Sequence, residues 1–488
     1  MRKRQDPDGL RLPVKIDSTS NGEYAPLPLE PVHRQARRLA LEAADENARR
    51  AGRSRRDFLV SACGAATTLL ALNQAYAAAG KRGAHYALPS EASQDEAAAA
   101  SVLKGDEFIF DVQGHFVNPT GAWTRKLPPE ARPLSFTESA GCAARELGGA
   151  RDHLQCLGPD AFIREMFLDS DTALAVLSFV PSTRDGEPLT IEEAAATRAI
   201  VERMEGTRRL MLHGRVNPNQ PGDIEDMERL AKQFRIAAWK CYKQWGPERA
   251  GFFLDDPPGL RLVEEARRLG VRNIAVHKGL PFGPRSYEHS TCVDVGRIAK
   301  RYPDVNFLIY HSGFVTSKGE SAYDAKRTDG IDALITSLRE NGVGKGGNVY
   351  AELGSTWRYL MRDPDRAAHG IGKLLAHLGE DNVLWGTDSI WYGSPQDQIQ
   401  AFRAFRISDE FRERYGYPEI TPEIRAKVFG RNALKLYPVP EDVLSKHLSK
   451  DAVARERENY RNAPDPRFAT YGPKTRREFL NLQQRGAV

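Results

Sequence analysis

A closed α/β barrel of eight strand–helix units is the fold this sequence predicts, and three observations predict it. Eight short apolar stretches recur between residues 108 and 386. Helical stretches separate them, and such alternation implies crossover connections and a parallel sheet. Several of the apolar stretches also end in side chains able to do chemistry. Alternation by itself fits an open doubly wound sheet as well, but eight repeats favour closure into a (β/α)8, or TIM, barrel.

The first strand is expected over 108–113, in Phe108-Ile109-Phe110-Asp111-Val112-Gln113-Gly114-His115. It is an apolar run ending in polar groups, the pattern of a buried strand that delivers side chains to its own carboxyl end. Gln113 and His115 are two apart, so a strand points both to one side. The remaining strands are expected over 172–180, 209–216, 236–242, 273–277, 305–310, 348–353 and 382–386. Helices are expected over 191–204, 224–234, 260–269 and 370–378, with Gly270 and Gly379 as stops. The long interval from Gln113 to Thr172 predicts an insertion, partly helical, over the barrel mouth. The polar, charge-rich tail from Pro438 is expected on the surface or across a neighbouring subunit.

Composition narrows the partners. The chain has 488 residues and a formal charge of +5, enough length for one large domain with appendages. Residues 1–77 hold 13 Lys and Arg against 9 Asp and Glu, leaving 57 against 56 for the remainder. The body is therefore nearly neutral, and nucleic acid drops out as a default partner.

Residues 1–77 read as a twin-arginine signal region. Ser54-Arg55-Arg56-Asp57-Phe58-Leu59-Val60 precedes an Ala-rich apolar run, and Ala75-Tyr76-Ala77 resembles a cleavage site. The run is too short for a stable membrane span. The expected partner is the twin-arginine export machinery and the expected location is the periplasm, or otherwise outside the cytoplasm. An apolar helix of the fold is the competing reading of the same run. The pattern Arg476-Arg477-Glu478-Phe479-Leu480 repeats the motif without an apolar run after it. Residues 78–107 read as a polar, Ala/Ser-rich linker, so that 1–107 is expected to lack a packed core. The barrel is placed at 108–437 and a C-terminal extension at 438–488. No Cys-x-x-Cys pair is present, which argues against a thiolate zinc site.

The active site of such a barrel lies at the carboxyl ends of its strands. The first strand offers Gln113 and His115, the fourth Lys240, the fifth His277, the sixth His311 and the eighth Asp388. A single strand-end His is readily explained as a core residue satisfied by a carbonyl. Three of them and an Asp would converge on one point. Lys240 could neutralise a substrate carboxylate, bridge a metal pair as a carbamate, or form a structural ion pair. Arg358 is a candidate anion binder or a solvated loop residue. Glu352 could sit behind the site or in a buried pair. Trp239, Trp245, Trp357 and Trp391 could line an aromatic pocket or fill the core.

Val276-His277, Tyr310-His311-Ser312-Gly313 and Trp385-Gly386-Thr387-Asp388-Ser389 resemble the amidohydrolase superfamily. The likeness is greatest to the amidohydrolase-related branch that includes aminocarboxymuconate-semialdehyde decarboxylase and related aromatic-acid decarboxylases and hydrolases. Val428-Phe429-Gly430-Arg431-Asn432-Ala433-Leu434 is similar to that branch's last helix. The resemblance implies that His115, His277 and Asp388 hold one divalent metal, usually zinc. His311 would orient or polarise substrate or water, and Asp388 would also move the proton. The branch usually has His-x-His on the first strand, whereas this chain has Gln113-Gly114-His115. A Gln amide oxygen is a weaker zinc ligand than imidazole and suits harder ions such as manganese better, with iron a further possibility. The implied function is hydrolysis of a C–N or C–O bond in a small carboxylated or aromatic molecule. The alternatives are non-oxidative decarboxylation, a metal-free binding protein and an iron or manganese oxygenase. A homodimer is implied by resemblance alone.

Overall fold

In a computed structural model the described residues are 6–118, 157–180, 182, 184–205, 208–246, 250–281, 286–437, 439–441, 443–444 and 448–484. Eight parallel strands pair in chain order: β1 Phe110–Gly114, β2 Leu174–Leu177, β3 Leu210–Arg215, β4 Ile236–Tyr242, β5 Asn273–His277, β6 Asn306–Tyr310, β7 Val349–Glu352 and β8 Val383–Leu384. All eight predicted strands are present, and β4 and β5 have the predicted ends. The shortest, β8, is followed by backbone that closes the sheet irregularly onto β1. Val112 N donates to Trp385 O at 3.0 Å, Asp388 N to Gln113 O at 2.9 Å and His115 N to Ser389 O at 2.6 Å. The β1–β2 register shifts between Asp111 and Gly114. Such irregularities re-aim side chains at barrel rims, and here one lies where Gln113 and His115 project.

Helices follow the strands as expected, over Ile191–Glu205, Asp223–Phe234, Pro257–Arg268 and Pro364–His377. The last two begin earlier than the apolar pattern suggests, because Pro257 and Pro364 occupy first-turn positions that need no N–H. Inside the barrel Phe110, Val112, Leu174, Val176, Leu308 and Tyr310 pack together. Tyr437, Val443 and Leu448 join this cluster from below. The tail is therefore not a surface appendage: Arg209 binds buried Asp451 at 2.6 Å, and Tyr471 is buried.

Residues 6–107 require the larger correction, since they form part of the packed body. Ala36, Ala40, Ala44 and Ala48 lie four apart on one face of the helix Pro31–Arg50, all buried. Small side chains at that spacing let the helix Ala62–Ala78 approach closely; Leu69, Leu72 and Ala75 are fully buried there. The strand Ala84–Tyr86 then pairs antiparallel with Phe405–Ile407, tying this region to the barrel. Arg56 of the arginine pair is buried against Asp465, at 3.2 Å. The predicted insertion after β1 falls mostly on residues 119–156, outside the described residues, as do Cys142 and Cys156. Residues 157–168 that follow are helical in part, over Pro159–Ile163 and Arg164–Leu168. Among the described residues no helix is long and apolar enough to cross a membrane.

His33 reports on the docking of this N-terminal region. Its Nδ1 accepts from Glu30 N at 3.1 Å, so its Nε2–H faces Tyr76 OH at 2.9 Å. Burial lowers its pKa from 6.5 to about 4. The unfolded chain then binds the proton first, so this stability is present above the unfolded pKa and is lost as pH falls toward 4. Thermal unfolding at pH 4.5 against pH 7 should show that loss, up to about 3 kcal/mol from this group, and His33→Gln should flatten the profile. An unchanged slope in the variant would contradict a docked His33.

Candidate metal centre and active site

The strand ends bring most of the predicted residues to one point. His115 Nε2 lies 3.0 Å from Asp388 Oδ1, and Gln113 Nε2 donates to the same oxygen at 3.0 Å. His277 and His311 stand edge to face with ring centres 4.6 Å apart. His115, His277, His311, Gln113 and Asp388 are all at most 3% exposed. The backbone is bent to present them: His311, Ser312, Ser355 and Asp388 have φ of 66°, 54°, 56° and 57°. Left-handed conformations of non-glycine residues are costly and gather at functional sites.

The hydrogen-bond roles of the three rings follow from their partners. A carbonyl only accepts, so each ring nitrogen facing one must carry the proton. His115 Nδ1–H donates to Ser178 O at 3.0 Å, His311 Nδ1–H to Gly354 O at 2.6 Å and His277 Nε2–H to Leu280 O at 3.3 Å. In His277 and His311, which burial keeps neutral, the other nitrogens present lone pairs. His115 Nε2 faces Asp388, while His311 Nε2 and His277 Nδ1 face the carboxylate of Glu23. Rings that donate one N–H to a backbone carbonyl and turn the other nitrogen inward are the usual arrangement of metal-binding histidines. His311 Nε2 and Gln113 Oε1 have no hydrogen-bond partner among the described residues. The donor set thus fits a divalent cation, and Glu23, His277 and His311 have donor atoms within 4.8 Å of one another.

Electrostatics keep these groups in useful states. Burial pushes the Asp388 carboxyl upward, but the hydrogen bond and charge of His115, with His311 and Ser355, outweigh it and hold Asp388 well below the usual carboxylate range. Burial lowers His311 to about 4, so its ring is neutral near pH 7. Burial and the neighbouring Asp388 charge push Glu23 well above the usual range. Burial likewise raises Glu352 to about 8, although the N–H groups of His311 and Gly354 donate to it. Glu352 therefore sits behind His311 and fixes its backbone, at 3.0 Å.

Lys240 is fully buried, its Nζ 3.9 Å from the centre of the Tyr310 ring. Burial lowers its pKa to about 8, and it has no hydrogen-bond partner among the described residues. No ion pair with Lys240 is seen among them, although the charges of Glu23, Glu352 and Asp388 act on it. Arg358 is placed elsewhere: its Nη2 pairs with Asp17 at 2.9 Å. Of the tryptophans, Trp239 and Trp357 fill the core. Trp391 lies near a site ring, tilted against His115 with ring centres 6.1 Å apart.

Three contributors escape the sequence pattern. Glu23 and Asn21 reach the barrel mouth from the N-terminal segment, and Asn21 Nδ2 donates to both Glu23 Oε2 and Asp388 Oδ2 at 2.6 Å. Nothing in the surrounding polar residues marks them. Ser355 Oγ donates to Asp388 Oδ2 at 2.5 Å and meets Tyr392 OH at 2.6 Å. Its position just past the end of β7 is the signal that could have found it.

The Asp17–Arg358 pair clamps the N-terminal segment over the mouth, and Arg362 Nη1 adds a bond to Asp17 O at 2.6 Å. Arg358→Ala should cost about 2–3 kcal/mol, a buried-pair loss discounted because Asp17 is partly exposed. Limited proteolysis should then cut between Leu12 and Tyr24. Resistance equal to wild type would show that the clamp contributes nothing.

A model of the amidohydrolase family matches residues 110–439. Comparison with curated proteins gives no match. Among solved structures the chain is similar to 2,6-dihydroxybenzoate decarboxylase from Rhizobium, at 15% identity and a TM-score of 0.41, covering 68% of this chain and 99% of that one. It is similar to 5-carboxyvanillate decarboxylase from Sphingomonas paucimobilis, at 14% identity and a TM-score of 0.42, covering 69% and 100%. An uncharacterised TIM-barrel protein from Bordetella bronchiseptica matches at 14% identity and a TM-score of 0.42, covering 67% and 97%. With the family match spanning the whole barrel and every strand-end residue above, the chain belongs to the amidohydrolase family, an enzyme family of hydrolases and carboxy-lyases.

Proposed function

We propose that this enzyme is a metal-dependent hydrolase that cleaves a C–N or C–O bond in a small carboxylated or aromatic molecule. The observation that carries the reading is one buried cluster at the strand ends, in which His115 meets the ionised Asp388 while His277 and His311 turn ring nitrogens to the neighbouring Glu23. His115, His277 and Asp388, with Gln113 beside them, would hold one divalent ion, zinc first and manganese or iron as alternatives. Such an ion supplies Lewis-acid activation of water and of the substrate oxygen.

The chain's own groups do the rest. Asp388 accepts the proton of the attacking water and returns it to the leaving nitrogen or oxygen. Its Oδ2 is held by Asn21 and Ser355, so the proton is taken at a fixed position. His311, neutral and braced by Gly354 O, orients water or a substrate hydroxyl by accepting its hydrogen bond at Nε2. Lys240 neutralises the substrate carboxylate within a buried site, where a cation counts for more than it does in water.

Non-oxidative decarboxylation is the second reading, favoured by one observation. Lys240, buried with no hydrogen-bond partner among the described residues, would hold a substrate carboxylate at the site, and the carbon that loses carbon dioxide would take its proton from Asp388 after that group has accepted one. Carboxylated aromatic acids should be turned over in ¹⁸O-labelled water. Label in the product acid supports hydrolysis; carbon dioxide release without label supports decarboxylation. Asp388→Asn and His311→Asn should each lower kcat at least ~100-fold. Activity near wild type in either variant would refute the assignment.

Export remains a proposal supported by Arg55-Arg56, the apolar run and Ala75-Tyr76-Ala77. Because Arg56 is buried in the folded chain, the export machinery would have to read the pair before residues 6–78 dock. Arg55→Lys with Arg56→Lys should abolish appearance of the protein outside the cytoplasm; unchanged fractionation would end this reading.

A further inference from the structure

We propose that Glu23, carried in by the N-terminal segment, is a ligand of the metal centre, completing a donor set that the barrel alone leaves short. The inference rests on the metal-dependent reading above and extends it to a residue outside the family's barrel.

The argument begins with a mismatch of lone pairs. His311 Nδ1 and His277 Nε2 have given their protons to Gly354 O and Leu280 O. Each ring therefore turns an acceptor toward Glu23, which is itself an acceptor when ionised. His311 Nε2 to Glu23 Oε2 and His277 Nδ1 to Glu23 Oε1 are both 3.4 Å. Charge-assisted hydrogen bonds run shorter, at about 2.7–2.9 Å. Two donors on one tetrahedral ion with bonds of about 2.1 Å stand about 3.4 Å apart. A proton on Glu23 relieves one of the two contacts and leaves the other as acceptor against acceptor. A cation between them relieves both.

The segment that presents Glu23 is built to hold it there. Glu23 N donates to Asn21 Oδ1 at 2.9 Å and Gly22 N to Ser20 Oγ at 3.0 Å. Gly22, at φ 94°, turns the chain where a side chain would be strained. Ser20 N bonds Pro473 O at 2.9 Å, Thr19 Oγ1 bonds Thr470 Oγ1 at 2.8 Å, and Lys15 pairs with Asp397 at 2.9 Å. Glu23 is thus a positioned donor, 5% exposed. On the barrel, the corresponding first-strand place is taken by Gln113, a neutral amide whose Nε2–H is spent on Asp388. Glu23 supplies a further donor from another part of the chain. It lies ahead of Ala77, so the uncleaved chain is the metal-competent form.

The test uses the full-length chain, stripped with chelator and titrated with Mn²⁺ and Zn²⁺ by calorimetry, and with Co²⁺ by its visible absorption. Wild type should bind one equivalent. Glu23→Gln should weaken binding at least ~100-fold, and Glu23→Asp should retain binding with a shifted Co²⁺ spectrum. Ser18→Ala, in the same segment but outside the bonds that hold Glu23, should bind as wild type. Wild-type affinity and spectrum in Glu23→Gln and Glu23→Asp would overturn the inference while leaving the metal reading intact. No ion bound by wild type would remove the metal reading itself. Should Glu23→Gln fail to fold, the Co²⁺ spectrum of Glu23→Asp decides: a spectrum identical to wild type overturns the assignment.

Discussion

Burial of two carboxylates against three imidazole rings is the constraint on which the rest of the structure depends. Uncompensated, such a cluster is strongly destabilising in a low-dielectric interior. The surrounding chain compensates on every side. Backbone carbonyls of Ser178, Leu280 and Gly354 take the outward ring protons. Asn21, Gln113 and Ser355 donate to Asp388. The cation of Lys240 lies among the carboxylates of Glu23, Glu352 and Asp388. What remains unsatisfied points inward, where a divalent ion and a substrate carboxylate would be received.

The barrel accepts backbone strain to achieve this. The left-handed φ values of His311, Ser312, Ser355 and Asp388 all lie just past strand ends. The regular β ladder stops at Tyr310, Glu352 and Leu384, and the freed backbone turns the side chains toward one axis. Regular pairing below, through Phe110, Val112, Leu308 and Tyr310, supplies the rigid base against which those bends are held.

Both ends of the chain then close over the barrel. The segment around Asp17 to Tyr24 crosses the mouth and is locked by Arg358, Arg362 and Thr470. Tyr471, from the tail, reaches Glu165 beneath the same crossing. Val443 and Leu448 seal the opposite end. The site side chains are consequently buried, which strengthens each electrostatic interaction among them. The covering segments therefore bear on chemistry as well as on stability.

Much of this was legible in the sequence. The eight strands were readable because each is a short apolar run bounded by breakers, and burial on both faces demands that composition. His115, His277, His311 and Asp388 were readable because a barrel gathers its strand ends, so position along the strand implies position in space. Glu23 and Asn21 were not, because they belong to no repeating element and reach the site through contacts hundreds of residues distant in sequence. Arg358 was misjudged for the same reason, since its partner Asp17 lies at the far end of the chain. The Ala-rich run 62–78 carries one signal with two physical meanings, an apolar leader or a buried helix. Local pattern determined the barrel and the residues at its strand ends. Only tertiary packing decided what covers the mouth and which distant carboxylate completes it, because long-range pairing leaves no periodic trace in the chain.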